Sequence, residues 1–306
     1  MSRIRSRALV VAGLSSLLPS LAITDTTSAT TPPDEASATT SPSTSPADAE
    51  LEAHAAPVSV IDQAFDLGDG RTPYLECAGD HSPTVVLEVG EGGYREHMDS
   101  LYAALAPRYR VCSYDRRNMG RSSSAPTPRS AQDVVADVDD LLWEADVPGP
   151  YLLVGSSYGA FIVNAYASMH PDRVAAVLMI SHPIRTDWWE TEVWPLVSAE
   201  QQAADRLWSD GTTNLEHMDS YSMTEAISTA GPLAMPYSVL IPTEPGQCAV
   251  AGVCGEMYEA YVPLARRLAD ESPSGRFRII DGAHDLYVTH LEDVVDEIDL
   301  LAAQLT

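Results

Sequence analysis

The stretch Tyr151–Phe161, YLLVGSSYGAF, limits the possible folds of this chain more than any other. Four apolar residues lead into a serine that lies between two glycines, and a segment of helical length follows. A serine at a sharp turn from a strand into a helix is held in a strained backbone conformation, and flanking glycines lack the Cβ atoms that would clash there. The stretch therefore predicts a tight strand–turn–helix corner with Ser157 at its tip.

Apolar segments of strand length alternate with segments of helical length along most of the chain. The predicted strands are Val58–Leu67, Pro73–Cys77, Thr84–Glu88, Arg110–Tyr114, Tyr151–Val154, Ala175–Ile180, Tyr237–Ile241 and Arg276–Ile280. The first two flank a turn and should form a hairpin, whereas the later ones are continuous apolar runs, typical of strands covered on both faces. This alternation predicts βαβ crossovers and a mainly parallel sheet.

The predicted helices are Glu96–Leu105, Ala131–Glu144, Phe161–Met169, Met257–Ala269 and Val294–Gln304. Capping boxes are predicted at Ser130 with Asp133 and at Thr289 with Glu292. An insert at 181–235 interrupts the alternation and is expected to form a short cap. It holds four of the five tryptophans, which either line a pocket above Ser157 or pack the cap onto the core.

The N-terminal segment predicts secretion. Arg3, Arg5 and Arg7 precede an uncharged apolar run, and Ser20-Leu21-Ala22 is a small-x-small cleavage pattern, so residues 1–22 are expected to be a signal peptide. Residues 23–57 are rich in Thr, Ser, Pro and Ala and lack aromatic residues, which predicts a disordered linker. The folded domain is therefore expected to span residues 58–306, with no membrane insertion after cleavage.

The charge of the chain limits its possible partners, and its cysteine content bears on disulfide bonds. The formal net charge is −26 and the chain has no lysine, which argues against nucleic acid and anionic membranes as partners. A secreted chain with four cysteines permits disulfides. The favoured pair is Cys248 with Cys254, close together in a loop, and the sequence leaves open whether Cys77 and Cys112 are disulfide-bonded or buried free thiols.

A nucleophilic serine needs a general base, and His284 is the best placed of the eight histidines. It follows the last predicted strand, so its loop lies at the carboxyl end of the sheet, where Ser157 is also expected. His290 is the rival in the same loop, but its place at the start of a helix favours a structural role.

Five stretches in this order resemble the α/β-hydrolase fold family, in particular secreted bacterial serine hydrolases of the esterase or lipase type. They are PTVVLEVGEGG, YRVCSYDRRNMGRSS, YLLVGSSYGA, HPDRVAAVLMI and IIDGAHDLYVTHLEDVVDEI. The resemblance implies a mostly parallel eight-stranded sheet with helices on both faces. It also implies an oxyanion hole formed by the backbone N–H groups of Tyr158 and Glu91, although EVGEGG stands where many members carry a His-Gly pair.

The resemblance also implies an acidic partner for His284 after the sixth or the seventh strand. Ser181 stands at the sixth-strand position and cannot serve, which leaves Asp187 further along the chain. Glu244 follows the seventh strand and is the preferred acid. The order serine, acid, histidine holds for both.

Together these residues predict acyl transfer to water without a metal or another cofactor, acting on a small ester with a neutral or apolar acyl group. Two alternatives remain open at this point. The same residues could cleave amides or peptides, and a chain that kept the fold could bind ligands without catalysis.

Overall fold

The structure is a computed structural model that describes residues 59–182, 185–244 and 254–305. These residues belong to one unit, His54–Thr306. The predicted signal peptide (1–22), the linker (23–57) and Cys248 lie outside the described residues.

Eight strands form one sheet in the order β1-β2-β4-β3-β5-β6-β7-β8. Strand β2 runs antiparallel to both of its neighbours, and β3 to β8 pair in parallel. The strands are β1 (Ser59–Ala64), β2 (Tyr74–Ala78), β3 (Thr84–Glu88), β4 (Arg110–Asp115), β5 (Tyr151–Ser156), β6 (Val174–Ile180), β7 (Tyr237–Glu244) and β8 (Gly275–Ala283). The predicted hairpin and the mainly parallel sheet are confirmed.

The described helices alternate with the parallel strands. They are α1 (Asp99–Leu105), α2 (Ala131–Glu144), α3 (Tyr158–Met169), α4 (Thr186–Trp188), α5 (Ala199–Ser209), α6 (Ser220–Ala230), α7 (Cys254–Ala269), α8 (Leu286–Thr289) and α9 (Leu291–Ala302). No described helix has the length and apolar character needed to cross a membrane.

Apolar side chains cover both faces of the sheet, which explains why the central strands have continuous apolar sequences. One core cluster includes Val134 of α2, Phe161 of α3 and Leu264 of α7. The other includes Leu101 of α1 and Ile298 of α9. The helices therefore lie in two layers, and the loops that follow the parallel strands meet at one edge of the sheet.

The cap insert joins β6 to β7 and contains α4, α5 and α6. Trp188 and Trp194 are each 7% exposed. Trp188 contacts the guanidinium groups of Arg185 and Arg267, and Trp194 contacts that of Arg206. These two tryptophans are buried in packing contacts of the cap, whereas Trp208 contacts Glu91, which lies in the loop after β3.

Of the two open alternatives for Cys77 and Cys112, the structure has the disulfide, because they lie directly opposite each other in the antiparallel pair of β2 and β4, with Cα atoms 4.1 Å apart. One prediction about local structure is wrong. The capping box at Thr289 does not form, because Thr289 ends α8 and His290 is the N-cap residue of α9. The box at Ser130 is confirmed.

Candidate active site

Ser157 stands alone between the last residue of β5 and the first residue of α3. Its backbone angles are φ 54° and ψ −127°, a conformation that L-residues rarely adopt. Its N–H donates to the carbonyl oxygen of Ile180 at the end of β6, at 2.8 Å. The predicted corner is present, and it presents Ser157 at the carboxyl edge of the sheet.

The two flanking glycines are required by close backbone packing. A Cβ atom on Gly155 would lie 2.4 Å from the carbonyl oxygen of Gly159. A Cβ atom on Gly159 would lie 2.3 Å from the carbonyl oxygen of Glu88 and 2.5 Å from that of Val89. Real Cβ atoms do not approach this closely, so the first turn of α3 can pack against the ends of β5 and β3 only with glycine at both positions.

The loop after β3, Val89–Gly93, lies beside Ser157 and is called the β3 loop below. A Cβ atom on Gly90 would lie 3.1 Å from the Cβ of Ser157 and 3.7 Å from its Oγ. Within the described part of the chain, the backbone N–H groups of Glu91 and Tyr158 make no hydrogen bond. Both are the predicted oxyanion donors, and the N-terminal end of α3 adds a favourable field for negative charge.

The β3 loop is held from behind by Arg116, a residue whose role the sequence analysis missed. All five N–H donors of its buried guanidinium are used. It donates to the carbonyl oxygens of Val89 and Gly90, both at 2.7 Å, and to the carboxylates of Glu88 and Glu216. Because the C=O and N–H of a trans peptide point in opposite directions, fixing the carbonyl of Gly90 also fixes the direction of the Glu91 N–H.

The three charged side chains of this cluster are 3% exposed or less. Burial raises the pKa of Glu88 to about 7, and the charge of Arg116 acts in the opposite direction. Arg116 and its partners come from β3, the end of β4 and the cap, so their meeting depends on the tertiary fold. A signal was nevertheless present, since Glu88 directly follows the apolar residue Leu87 and Arg116 directly follows β4, and charged residues at the ends of buried strands need partners.

His284 directly follows β8. Its backbone carbonyl accepts a hydrogen bond from the Oγ of Ser181, at 2.8 Å, and Ser181 directly follows Ile180, the acceptor of the Ser157 N–H. The structure thus brings the loops of Ser157 and His284 to the same edge of the sheet. The Oγ of Ser157 makes no hydrogen bond to the imidazole, and the Nδ1 of His284 is buried with no partner among the described residues. Burial lowers the pKa of His284, opposed by the charge of Asp285.

The two candidate acids occupy different environments. Glu244 is the exposed last residue of β7 and pairs in register with Ala283, the residue before His284. It makes no hydrogen bond to His284. Asp187 lies in α4, and both of its carboxylate oxygens accept hydrogen bonds from Arg185, at 3.0 and 2.7 Å. Glu244 therefore lies next to the histidine loop, while Asp187 is engaged by an arginine. His290 is the N-cap residue of α9, a structural position.

The described residues contain no cluster of three metal-ligating side chains. The candidate site consists of a strained serine, a half-buried histidine and two open backbone N–H groups. This arrangement can support nucleophilic attack with proton transfer to a base and stabilisation of a developing negative charge.

A family model of the alpha/beta hydrolase fold matches residues 83–211, which contain β3, the β3 loop and Ser157. The chain has the alpha/beta hydrolase fold. Among solved structures, a thermophilic esterase from Thermogutta terrifontis is similar with a TM-score of 0.58 and 17% identity, over 81% of this chain and 99% of that one. An enol-lactonase from Burkholderia xenovorans is similar with a TM-score of 0.54 and 18% identity, over 76% and 97%.

Curated relatives match segments of this chain. The uncharacterized protein YqjL of Bacillus subtilis is 31% identical over 102 residues, 33% of this chain and 40% of that protein. A proline iminopeptidase of Xylella fastidiosa (strain Temecula1) is 28% identical over 144 residues, 46% of this chain and 43% of that protein. The match thus spans less than half the length of each of these two relatives.

Proposed function

We propose that the protein is a secreted serine hydrolase that cleaves carboxylic esters through Ser157, His284 and Glu244. The observation that carries the proposal is the strained corner at Ser157, which lies beside the two open N–H groups of Glu91 and Tyr158. The hydrogen bond from Ser181 to the backbone of His284 adds support, because it ties the proposed base to the same edge of the sheet.

In the proposed reaction the Oγ of Ser157 attacks the acyl carbon while its proton passes to the imidazole of His284. The carbonyl oxygen becomes an oxyanion that accepts hydrogen bonds from the N–H groups of Glu91 and Tyr158. His284 then gives the proton to the leaving alcohol as the C–O bond breaks, which leaves an acyl-enzyme. Water attacks the acyl carbon with the same proton transfers, releasing the acid and free Ser157.

The lowered pKa of His284 suits a base, because the imidazole is neutral at neutral pH and ready to accept a proton. Glu244 would hold the imidazole in the correct tautomer and stabilise its charged form. Glu244 supports this role by its place, since it is the exposed last residue of β7 and pairs with Ala283, the residue before His284.

The experiment is labelling of the mature protein with a fluorophosphonate, together with hydrolysis of short p-nitrophenyl esters. We expect a single adduct on Ser157 and ester turnover, both lost in Ser157→Ala. Ser156→Ala is the matched control, because it removes the neighbouring buried hydroxyl and should retain both signals. A folded wild-type protein that neither labels nor turns over esters would overturn the proposal and favour a non-catalytic binding role.

A second candidate is a peptidase or amidase activity at the same serine, favoured by the similarity to proline iminopeptidases of Xylella fastidiosa. Aminoacyl anilides decide between the two. A higher kcat/KM for anilides than for esters would move the assignment to peptidase. Secretion is tested separately, by determining the N-terminal residue of the secreted protein, which should be Ile23.

A further inference from the structure

One tryptophan of the cap contacts the side chains of both predicted oxyanion residues. The indole N–H of Trp208 donates to the Oε2 of Glu91, at 3.1 Å. Its ring packs edge-on against that of Tyr158, with ring centroids 5.5 Å apart and an interplanar angle of 72°. Trp208 therefore joins the β3 loop to the first residue of α3 from the cap side.

The cap segment that follows Trp208 adds further contacts to the β3 loop. The N–H of Leu215 donates to the Oε1 of Glu91, at 2.6 Å, and the N–H of Gly92 donates to the Oε1 of Glu216, at 2.8 Å. A Cβ atom on Gly92 would lie 2.7 Å from the Cδ1 of Leu215, so the cap lies directly on the loop.

The β3 loop itself has few internal contacts to fix its shape. Its one internal backbone hydrogen bond among the described residues runs from the N–H of Gly93 to the carbonyl of Gly90, at 3.2 Å. The other polar contacts of Val89, Gly90, Glu91 and Gly92 go to Arg116 or to the cap. Arg116 is itself bound to the cap, because it donates to the carboxylate of Glu216. The direction of the Glu91 N–H therefore depends on contacts made outside the loop.

We propose that the cap segment 208–216 positions the oxyanion hole, with Trp208 as the positioning residue that links Glu91 to Tyr158. This inference rests on the proposed function. Trp208 does not touch the reacting atoms. It acts through Glu91 and Tyr158, by keeping their N–H groups aimed at the place where negative charge develops. If these N–H groups are misoriented, kcat falls and KM stays nearly unchanged, because their hydrogen bonds to the oxyanion form in the transition state.

The test compares Trp208→Phe with Trp189→Phe. Phenylalanine keeps an aromatic ring against Tyr158 but removes the N–H that Glu91 accepts. Trp189 is a matched control in the same cap, since its indole N–H also donates to a carboxylate, that of Asp205 at 3.3 Å, away from the β3 loop. Active sites are counted with a fluorophosphonate, so that a misfolded fraction does not enter kcat.

We expect Trp208→Phe to lower kcat per labelled site by about 10-fold, below the loss of about 10²–10³ that follows removal of a whole oxyanion donor. The inhibition constant of a trifluoromethyl ketone, whose adduct carries its oxygen in the oxyanion position, should rise by a similar factor. Trp189→Phe should leave both quantities within about twofold of the wild type. A purely structural role would reduce the number of labelled sites and leave kcat per site unchanged, which would overturn the proposal.

A double-mutant cycle with Glu91→Ala gives a second, independent test. Because Glu91→Ala removes the carboxylate that accepts the Trp208 hydrogen bond and keeps the backbone N–H, the double variant should lose about as much kcat as Glu91→Ala alone. A double variant whose loss of kcat equals the product of the two single losses would overturn the proposal. If the wild type neither labels nor turns over, the proposed function itself has failed, and this outcome is distinct from an active wild type with an unaffected Trp208→Phe.

Discussion

The backbone strain at Ser157 gives a prediction about stability that needs no substrate. Ser157 has φ 54° and ψ −127°, which glycine adopts freely and other residues do not. Such strain costs about 1–3 kcal/mol. Ser157→Gly releases it but loses about 0.5–1 kcal/mol to the greater freedom of glycine in the unfolded chain. The net expectation is a gain of about 1 kcal/mol, or about 2–4 °C in Tm for a domain of this size.

Ser157→Ala is the reference, because it removes the same hydroxyl but keeps a Cβ and therefore the strain. Both variants should be inactive, and thermal unfolding followed by circular dichroism should give Ser157→Gly the higher Tm. Since both lack the hydroxyl, the difference in Tm isolates the backbone conformation. An equal or lower Tm for Ser157→Gly than for Ser157→Ala would refute the strained corner.

Three further predictions concern packing, pH and the acid. Gly159→Ala should lower the free energy of unfolding by about 1–2 kcal/mol in urea titrations. Its Cβ would lie 2.3 Å from the carbonyl oxygen of Glu88, and this overpacking outweighs the gain of about 1 kcal/mol in helix propensity. A stabilised variant would contradict this packing. Burial lowers the pKa of His284 from its ordinary 6.5. Because the base must be neutral to accept a proton, kcat/KM should fall at acid pH with a midpoint below pH 6.5. A midpoint above pH 6.5 would contradict the buried imidazole. Glu244→Gln should lower kcat by about 100-fold or more with little change in Tm, because the side chain is exposed; the same loss in Asp187→Asn instead would assign the acid to that residue.

Much of the fold could be predicted because its signals are local. The observed bounds of β3 and α2 equal the predicted ones, and the Ser130 capping box lies within four residues of sequence. The G-x-S-x-G pattern also acts locally, since its glycines are needed where α3 starts. At the end of α8 local reasoning failed, because the chain begins a new helix after His290 rather than after Thr289.

The parts that could not be predicted depend on residues distant in sequence. Arg116, Glu88 and Glu216 meet through the fold, and no pattern along the chain pairs them. Cys77 and Cys112 form a disulfide because antiparallel register places them opposite each other. Register cannot be read from two short apolar segments, so the sequence leaves open whether Cys77 and Cys112 pair.

The most direct test of the central claim is a crystal structure of the fluorophosphonate adduct. The account predicts phosphorus bonded to the Oγ of Ser157, with its phosphoryl oxygen about 2.7–3.1 Å from the N–H groups of Glu91 and Tyr158 and His284 within hydrogen-bond reach of Oγ. An adduct on another residue, or a phosphoryl oxygen turned away from both N–H groups, would contradict the account.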